Sequence, residues 1–597
     1  MNQNNEQLSN LRHSAAHLLA AAVMELWPDT KRTIGPATDD GFYYDFAFIK
    51  PLSDADLPKI EKKMHNIVQE WKGFERHEVT AKEAKKELAG NEYKHELIDE
   101  FAKEGQTLTV YQSGKFRDLC RGGHCEHPSK DLQHFKLMSI AGAYWRGDEK
   151  NAMLTRIYGT AFETKKELDD YLAMLEEAKK RDHRKIGKDL ELFTFADNVG
   201  KGLPLWLPKG TTMRNAVEQF AIEKENEYGY LRVATPHLAK EELYLQSGHL
   251  PYYKDSMYPP MIMDDGTYYL KSMNCPHHHM IYLDKPRSYR DLPLRLAEYG
   301  TVYRNELSGT LAGLLRVRML SMNDAHIYCR QDQIEEEMTR VMQLTKDYFE
   351  TFGLSDYWFR LSLWSPEHKE KYIDEPENWE YTQDIIRKLM KKLKMPFTEV
   401  SDEAAFYGPK IDVQFKSVTG REESMSTIQL DFLAKERFKL NYTDKEGKEN
   451  NGVFVIHRAP LSTHERFMAF LIEHTAGNFP LWLSPVQVKI LAVGDDHVDF
   501  CKKLQSELNV AGIRSEVDSN AETVGNKIRK AAGEKVPFVL VIGDKEVTSL
   551  ASDVKVGADD LQVRIRGEKD LVTIAKKKFM AGLQKSISAR SVSLDLK

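Results

Sequence analysis

Residues 296–306, LAEYGTVYRNE, and residues 314–329, LLRVRMLSMNDAHIYC, read as paired strands. They lie within residues 190–479, a stretch too long for one simple sheet unit, so this region is expected to be a mixed α+β body. Two changes of pattern bound it. Upstream, Thr164 and Glu167 form a capping box, and Leu168, Tyr171, Leu172 and Leu175 follow at i, i+3, i+4 and i+7. That spacing predicts an amphipathic linker helix running through a charged stretch to Gly187. Downstream of residues 480–485, VQVKILAV, a helical stretch to Ala511, IRSEV, a helix after Glu522 and PFVLVIG alternate strand with helix. Such alternation predicts a small α/β domain. The segment up to about Phe162 mixes an opening helix with short strands such as GFYYDFAF and LTVYQ, as a separate α+β domain would. The expected fold is therefore multidomain, α+β and α/β, divided as 1–162, a linker helix at 163–189, 190–480 and 484–597.

Length and composition agree with this division. A chain of 597 residues exceeds a single hydrophobic core; at ~150 residues per domain it suggests three to five units. With 41% hydrophobic and 29% charged residues, it has no apolar run near the ~20 residues a membrane span needs. The opening MNQNNEQLSN has neither the basic flank nor the apolar stretch of a secretory signal, so a cytoplasmic address is expected. Cys120, Cys125, Cys275, Cys329 and Cys501 are odd in number and irregular in spacing, which argues against a disulfide framework. A net charge of −6 gives no global nucleic-acid signature. Residues 484–597, however, carry 19 Lys and Arg against 16 Asp and Glu, a net of +3 that leaves −9 for the rest. Any RNA contact is expected to be local, and this end is the better candidate.

His13 and His17 stand four apart in LRHSAAHLLAAAV, which puts both rings on one face of a helix. An HxxxH by itself is more often a pair of packed histidines. DLCRGGH adds Cys120 and His124 in a glycine-rich turn, and three His with one Cys suit either zinc or acid–base chemistry around a water. The segments HSAAH, GFYYDF, YKHELI and DLCRGGH resemble the second N-terminal domain of bacterial-type threonyl-tRNA synthetases. That domain hydrolyses misacylated seryl-tRNA. The resemblance implies that His13, His17, Cys120 and His124 position a water and the substrate, with Lys94 and Asp118 assisting. The family's usual proline before the final histidine is Gly123, and the CEHPSK that follows also departs from the common pattern.

MNCPHHH sets Cys275 beside three consecutive histidines, NDAHIYC supplies His326 and VFVIHRAP supplies His457. One Cys and two His are the donors of a zinc site with an open fourth position, although separated segments have no diagnostic spacing. His277, His278 and His279 read as core residues. The resemblance implies that Cys275, His326 and His457 hold one Zn2+ per subunit, which binds the amino and hydroxyl groups of threonine. An apolar pocket separates threonine from isosteric valine by only ~100-fold, whereas a site that must engage the hydroxyl rejects valine far more strongly. Serine lacks only a methyl group, worth ~1–3 kcal/mol, so an editing domain belongs in the same chain.

Adenylate formation needs cations on the phosphates and Mg2+ with ATP. The resemblance assigns Arg304, in VYRNELSG, to the class II motif 2 arginine and Arg466, in HRAPLSTHERF, to the motif 3 arginine on ATP. Ser462 and Glu465 are expected to form a capping box that places Arg466 in the first turn of a helix. Glu306 and Arg316 flank the loop SGTLAGLL, which should close over ATP and the tRNA end; without the motif they would read as a hairpin salt bridge. Asp324 stands two residues before His326 on the same strand face and suits the substrate ammonium. Met273, Tyr407, Lys410 and Gln429 match further substrate-pocket positions. Pro236, closing YLRVATP, matches the motif 1 proline of class II dimer interfaces and implies a homodimer. Departures from the family pattern are Ala312, Leu320, Met322, the Glu423-Ser424 pair and Ser462.

Residues 484–597 resemble the anticodon-binding domain of several class II synthetases, with Glu546 in GDKEV and Arg564 in VRIRG at its contact positions. Ordinary surface charges compete with that reading; an insertion at 552–559 and Ala521 depart from the pattern. The ubiquitin-like domain that usually precedes the editing helix is expected to be missing. The resemblance implies an antiparallel-sheet class II core and a threonine–tRNA ligase acting on ATP, threonine and tRNA(Thr). Three alternatives stand beside it. Seryl and prolyl ligases lack the combination of zinc and editing residues, and alanine-specific enzymes have a different catalytic body. A catalytically degenerate paralogue could instead act as an RNA-binding regulator.

Overall fold

The computed structural model describes residues 3–368, 371–420, 422–551 and 560–594. The insertion at 552–559 lies outside the described residues. The chain folds into two compact units, Met1–Glu176 and Glu177–Lys597.

In the first unit the opening helix, Gln3–Leu26, buries Ala15, Ala16, Leu18, Leu19, Ala20, Ala22 and Val23 completely. Such small and aliphatic side chains let it lie close against an antiparallel sheet in which Gly41–Ala47 pairs with Met153–Phe162, and that strand with His134–Tyr144. A second sheet joins Glu75–Glu78, Thr109–Ser113 and Phe116–Leu119. The turn leaving Leu119 carries Cys120 and His124 towards the opening helix. The capping box at Thr164 forms as expected, with Glu167 N donating to Thr164 Oγ1 at 3.2 Å and Thr164 N donating to Glu167 Oε2 at 3.0 Å. The linker is nonetheless two helices rather than one. Lys165–Arg181 stops at Asp182, whose extended ψ of 120° and side-chain bond to Arg184 N at 2.8 Å start a new helix, His183–Asp189.

The second unit is built on an eight-stranded sheet in the order 231–232, 294–303, 319–330, 453–459, 422–431, 410–416, 357–363, 397–401. Only the two outermost pairs are parallel; every inner pair is antiparallel. The strand pair quoted first stands second and third in this order, with Leu296 opposite His326 and Glu298 opposite Asp324. Helices Pro208–Glu227, Ile334–Thr351 and His464–Thr475 share its large apolar core. Residues 488–492, 515–518 and 538–542 then form a parallel sheet, extended antiparallel by 560–565 and 571–575. Helices 498–510, 524–533 and 576–588 follow these strands, the α/β alternation expected from the sequence.

Candidate functional sites

The first site lines a cavity of about 530 Å3 in the N-terminal unit, bordered by His13, His17, Lys94, Asp118 and Cys120. Cys120 Sγ lies 3.5 Å from His13 Nε2 and 3.3 Å from His124 Nε2. His13 Nδ1 is 3.1 Å from the Gly123 carbonyl, and His124 Nδ1 is 3.3 Å from Ser14 Oγ, which itself donates to Asn10 O. His17 is packed against both rings, and its Nδ1 is buried without a hydrogen bond. Burial keeps the imidazoles neutral, pulling His17 well below its ordinary range and His124 down to about 3. The same burial pushes the Cys120 thiol up to about 11. A protonated thiol among neutral imidazoles supplies bases and a hydrogen-bond donor at the edge of this cavity.

Beneath this cluster Asp118 is almost completely buried, 2.8 Å from Lys94 Nζ and 3.1 Å from Arg32 Nε, and it accepts the Tyr44 hydroxyl. Burial opposes its charge, but Lys94 and Arg32 outweigh burial and hold the carboxyl well below the usual carboxylate range. Arg32 and Ser14 were not anticipated, because neither stands out by type or spacing. Gly123 has φ +84°, which a proline ring locked near −65° cannot adopt, so this turn takes its own path.

The second site is a cavity of about 540 Å3 over the eight-stranded sheet. Its wall brings together Met273, Cys275, Arg304, Glu306, Arg316 and Asp324. Strands of the sheet supply His326, Lys410, Gln429 and His457, and the turn before Lys410 supplies Tyr407. The sheet register explains the convergence: His326 faces His457 on the adjacent strand, and His457 faces Gln429 on the next. Cys275 arrives from the N-terminus of helix Cys275–Leu283, and the donor atoms of Cys275, His326 and His457 lie within 4.8 Å of one another. Each imidazole is also engaged outside the trio: His326 Nδ1 lies 2.8 Å from His278 Nδ1, and His457 Nε2 lies 3.0 Å from Asp431 Oδ2. One nitrogen per ring thus remains as a donor, and the trio fits a metal that keeps an open position. His278 is therefore more than the core residue expected, since it orients His326.

Asp324 is buried, and Asn274 Nδ2 donates to its Oδ2 at 2.9 Å. Tyr407 donates to Gln429, the cross-strand partner of Lys410. The Arg304 guanidinium has no hydrogen-bond partner among the described residues, although it is half-buried. Among the described residues Arg466 is held only by carbonyl oxygens, Leu315 O at 3.3 Å from Nε and Ser424 O at 3.5 Å from Nη1. Two guanidiniums without a carboxylate partner suit an anionic ligand. Glu306 and Arg316 close an ion pair at 2.8 Å across the base of the loop. His249, which carried no sequence signal, is buried with Nε2 2.8 Å from Met273 Sδ and 4.0 Å from Cys275 Sγ.

One expectation fails locally. Ser462 is in the left-handed region at φ +51°, and the helix cap is Thr463, whose Oγ1 accepts from Arg466 N at 3.1 Å. The cap moves by one residue, and Glu465 turns inward to accept from Ser321 N at 3.0 Å. Arg466 keeps its place in the first turn. In the C-terminal sheet, Glu546 Oε2 accepts from Gly543 N at 3.0 Å at the start of its helix, and Arg564 lies on strand Asp560–Ile565. The two sit on neighbouring elements, with no contact between them recorded among the described residues.

Residues 260–475 match the tRNA synthetase class II core domain (G, H, P, S and T), and residues 487–586 match the anticodon binding domain. Residues 108–158 match the threonyl and alanyl tRNA synthetase second additional domain. The threonine–tRNA ligase of Anoxybacillus flavithermus is 50% identical over 553 residues, covering 92% of this chain and 86% of that protein. The chain belongs to the threonine–tRNA ligase family. Threonine–tRNA ligase 1 of Bacillus subtilis is 49% identical over 96% of this chain and 88% of its own. Among solved structures, the RNA binding domain of threonyl-tRNA synthetase from Cryptosporidium parvum superposes with TM-score 0.63 at 31% identity. It covers 69% of this chain and 99% of that one. A prolyl-tRNA synthetase of Giardia lamblia, at 14% identity and TM-score 0.53, shares the fold. Family membership bears out the class II core, the anticodon-binding domain and the editing-type domain expected from the sequence, and it favours the ligase over the degenerate paralogue.

Proposed function

We propose that this threonine–tRNA ligase activates threonine with ATP, transfers it to tRNA(Thr), and hydrolyses mischarged seryl-tRNA(Thr) in its N-terminal unit. The observation that carries this reading is the meeting of residues from 273 to 457 in one cavity that offers a metal trio, a buried carboxylate and the Arg304 guanidinium, which has no hydrogen-bond partner among the described residues. Asp324 receives the substrate ammonium, and Asn274 fixes its orientation. Arg304 takes the α-phosphate and the amino-acid carboxylate, and Arg466 takes the remaining phosphates of Mg2+-bound ATP. Glu306 and Arg316 tether the loop that covers them. Tyr407, Gln429, Lys410 and Met273 line the amino-acid side. Cys275, His326 and His457 would hold Zn2+, which supplies Lewis-acid coordination of the threonine amino and hydroxyl groups and so excludes valine.

In the N-terminal cavity His13, His17 and His124, all neutral, orient a water, Cys120 donates to the ester, and the Lys94–Asp118 pair fixes the floor. Glu546 and Arg564 contact the anticodon. The segment around Pro236, where Thr235 binds Glu298 through Oγ1 at 2.8 Å, forms a homodimer interface. No helix among the described residues is long and apolar enough to cross a membrane, and the protein works in the cytoplasm.

The deciding experiment is amino-acid-dependent pyrophosphate exchange with threonine, serine and valine on metal-analysed protein. Exchange with threonine, weaker exchange with serine, none with valine and one zinc per chain are expected. Cys275→Ala should lose both zinc and threonine exchange. Wild-type protein that carries zinc yet is silent with threonine would sink the reading.

A further inference from the structure

We propose that His183 is a positioning residue for ATP binding, locking the loop at 308–316 over the nucleotide side of the pocket through the backbone of Leu314. This rests on the reading of Arg304 and Arg466 as ATP ligands.

His183 opens the short helix after the break at Asp182 and is only 3% exposed. Its Nε2 lies 3.0 Å from Leu314 N, and its Nδ1 lies 2.7 Å from Glu473 Oε1. The backbone N–H of His183 reaches the same Glu473 oxygen at 3.3 Å. An amide N–H can only donate, so Nε2 carries the lone pair, and the ring proton sits on Nδ1 where Glu473 accepts it. The contacts on both sides thus specify one neutral tautomer. Asp182, His183 and Glu473 have the composition of a small metal group. Both ring nitrogens are already engaged, however, and Asp182 caps its own helix, so hydrogen bonding is the role left to the ring.

The loop approaches this ring closely. A Cβ on Gly313 would stand 2.2 Å from His183 Nε2, and the residue has φ +53°, so glycine is required twice over. Leu314 is completely buried, and the next carbonyl, Leu315 O, accepts from Arg466 Nε at 3.3 Å. Arg466 and Glu473 lie on one helix, His464–Thr475. That helix therefore grips two successive residues of the loop, directly through Arg466 and indirectly through Glu473 and His183. Losing the His183 contact frees the loop and with it the carbonyl that helps to aim Arg466.

The test is pyrophosphate exchange on the full chain with ATP and threonine titrated separately. His183→Ala leaves the buried Leu314 N–H unpaired, and the KM for ATP should rise about tenfold while that for threonine stays within about twofold. His183→Gln, whose amide oxygen reaches close to the Nε2 position, should restore most of the loss. Gly313→Ala should raise the ATP KM in the wild-type background and raise it by a smaller factor in His183→Ala, where the clash with the ring is gone and the strained φ and the contact with Arg184 remain. An unchanged ATP KM in His183→Ala overturns the proposal. So does a rise in both KM values that His183→Gln fails to rescue, since that is the mark of general damage to the fold. A rise with His183→Ala but none with Arg466→Ala would fault the placement of ATP and leave the lock standing.

Discussion

The Glu465 carboxyl is buried against Ser321 N, and burial pushes its pKa up to about 7. Its ordinary value is 4.5, so between pH 4.5 and about 7 the folded state binds more protons than the unfolded one. Stability must then fall as pH rises through that window, by an amount on the order of 3 kcal/mol. Glu465→Gln keeps an oxygen for Ser321 N and removes the titration. Its Tm relative to wild type should improve between pH 5 and pH 8, and parallel pH profiles would remove this explanation. Asp118 is the opposite case at the same scale. Its charge survives burial because Lys94 and Arg32 surround it, a pairing that neither YKHELI nor DLCRGGH reveals alone.

Among elements, the strand pair Leu294–Tyr303 and Met319–Arg330 does most to shape the proposed catalytic cavity. Its register puts Asp324 and His326 on the cavity face, and Gly300 on the neighbouring strand makes room for Asn274. A Cβ at Gly300 would come within 2.1 Å of Asn274 Oδ1, so Gly300→Ala must displace that side chain from Asp324. A hydrogen bond to a charged group is worth about 1.5–3 kcal/mol, so the KM for threonine should rise about tenfold. The KM for ATP should move far less, since Asn274 does not meet the arginines. Equal changes in both constants would mean that the strand itself had shifted.

At the scale of the molecule, the two candidate sites are each complete within one of the two compact units. Damage to one should spare the other. His17→Ala should slow hydrolysis of seryl-tRNA(Thr) by 100-fold or more, the range lost with an acid–base group, and leave pyrophosphate exchange with threonine within about twofold. A parallel fall in exchange would show that the units do not act separately. The charge division tells less: the C-terminal excess of +3 is spread over a domain in which Lys489 and Lys530 are already paired with glutamates.

Much of this was legible in the sequence because strand alternation, a capping box and short fixed motifs are local signals. The paired strands, the α/β alternation after residue 485, the linker cap at Thr164 and the residue types that meet in both clusters are of that kind. What failed was also local but ambiguous. Ser462 and Thr463 are equally good caps by type, and the positive φ at Ser462 decided between them. Nothing in residues 163–187 distinguishes a break at Asp182 from a continuous charged helix. By itself, then, the sequence determined the family, the order of the domains and which residue types could carry the chemistry. Only the tertiary structure decided the partners: His278 on His326, Asp431 on His457, Asn274 on Asp324, Arg32 on Asp118 and His183 on Leu314. The reason is that a hydrogen bond between distant segments depends on sheet register and helix placement, which no spacing along the chain encodes.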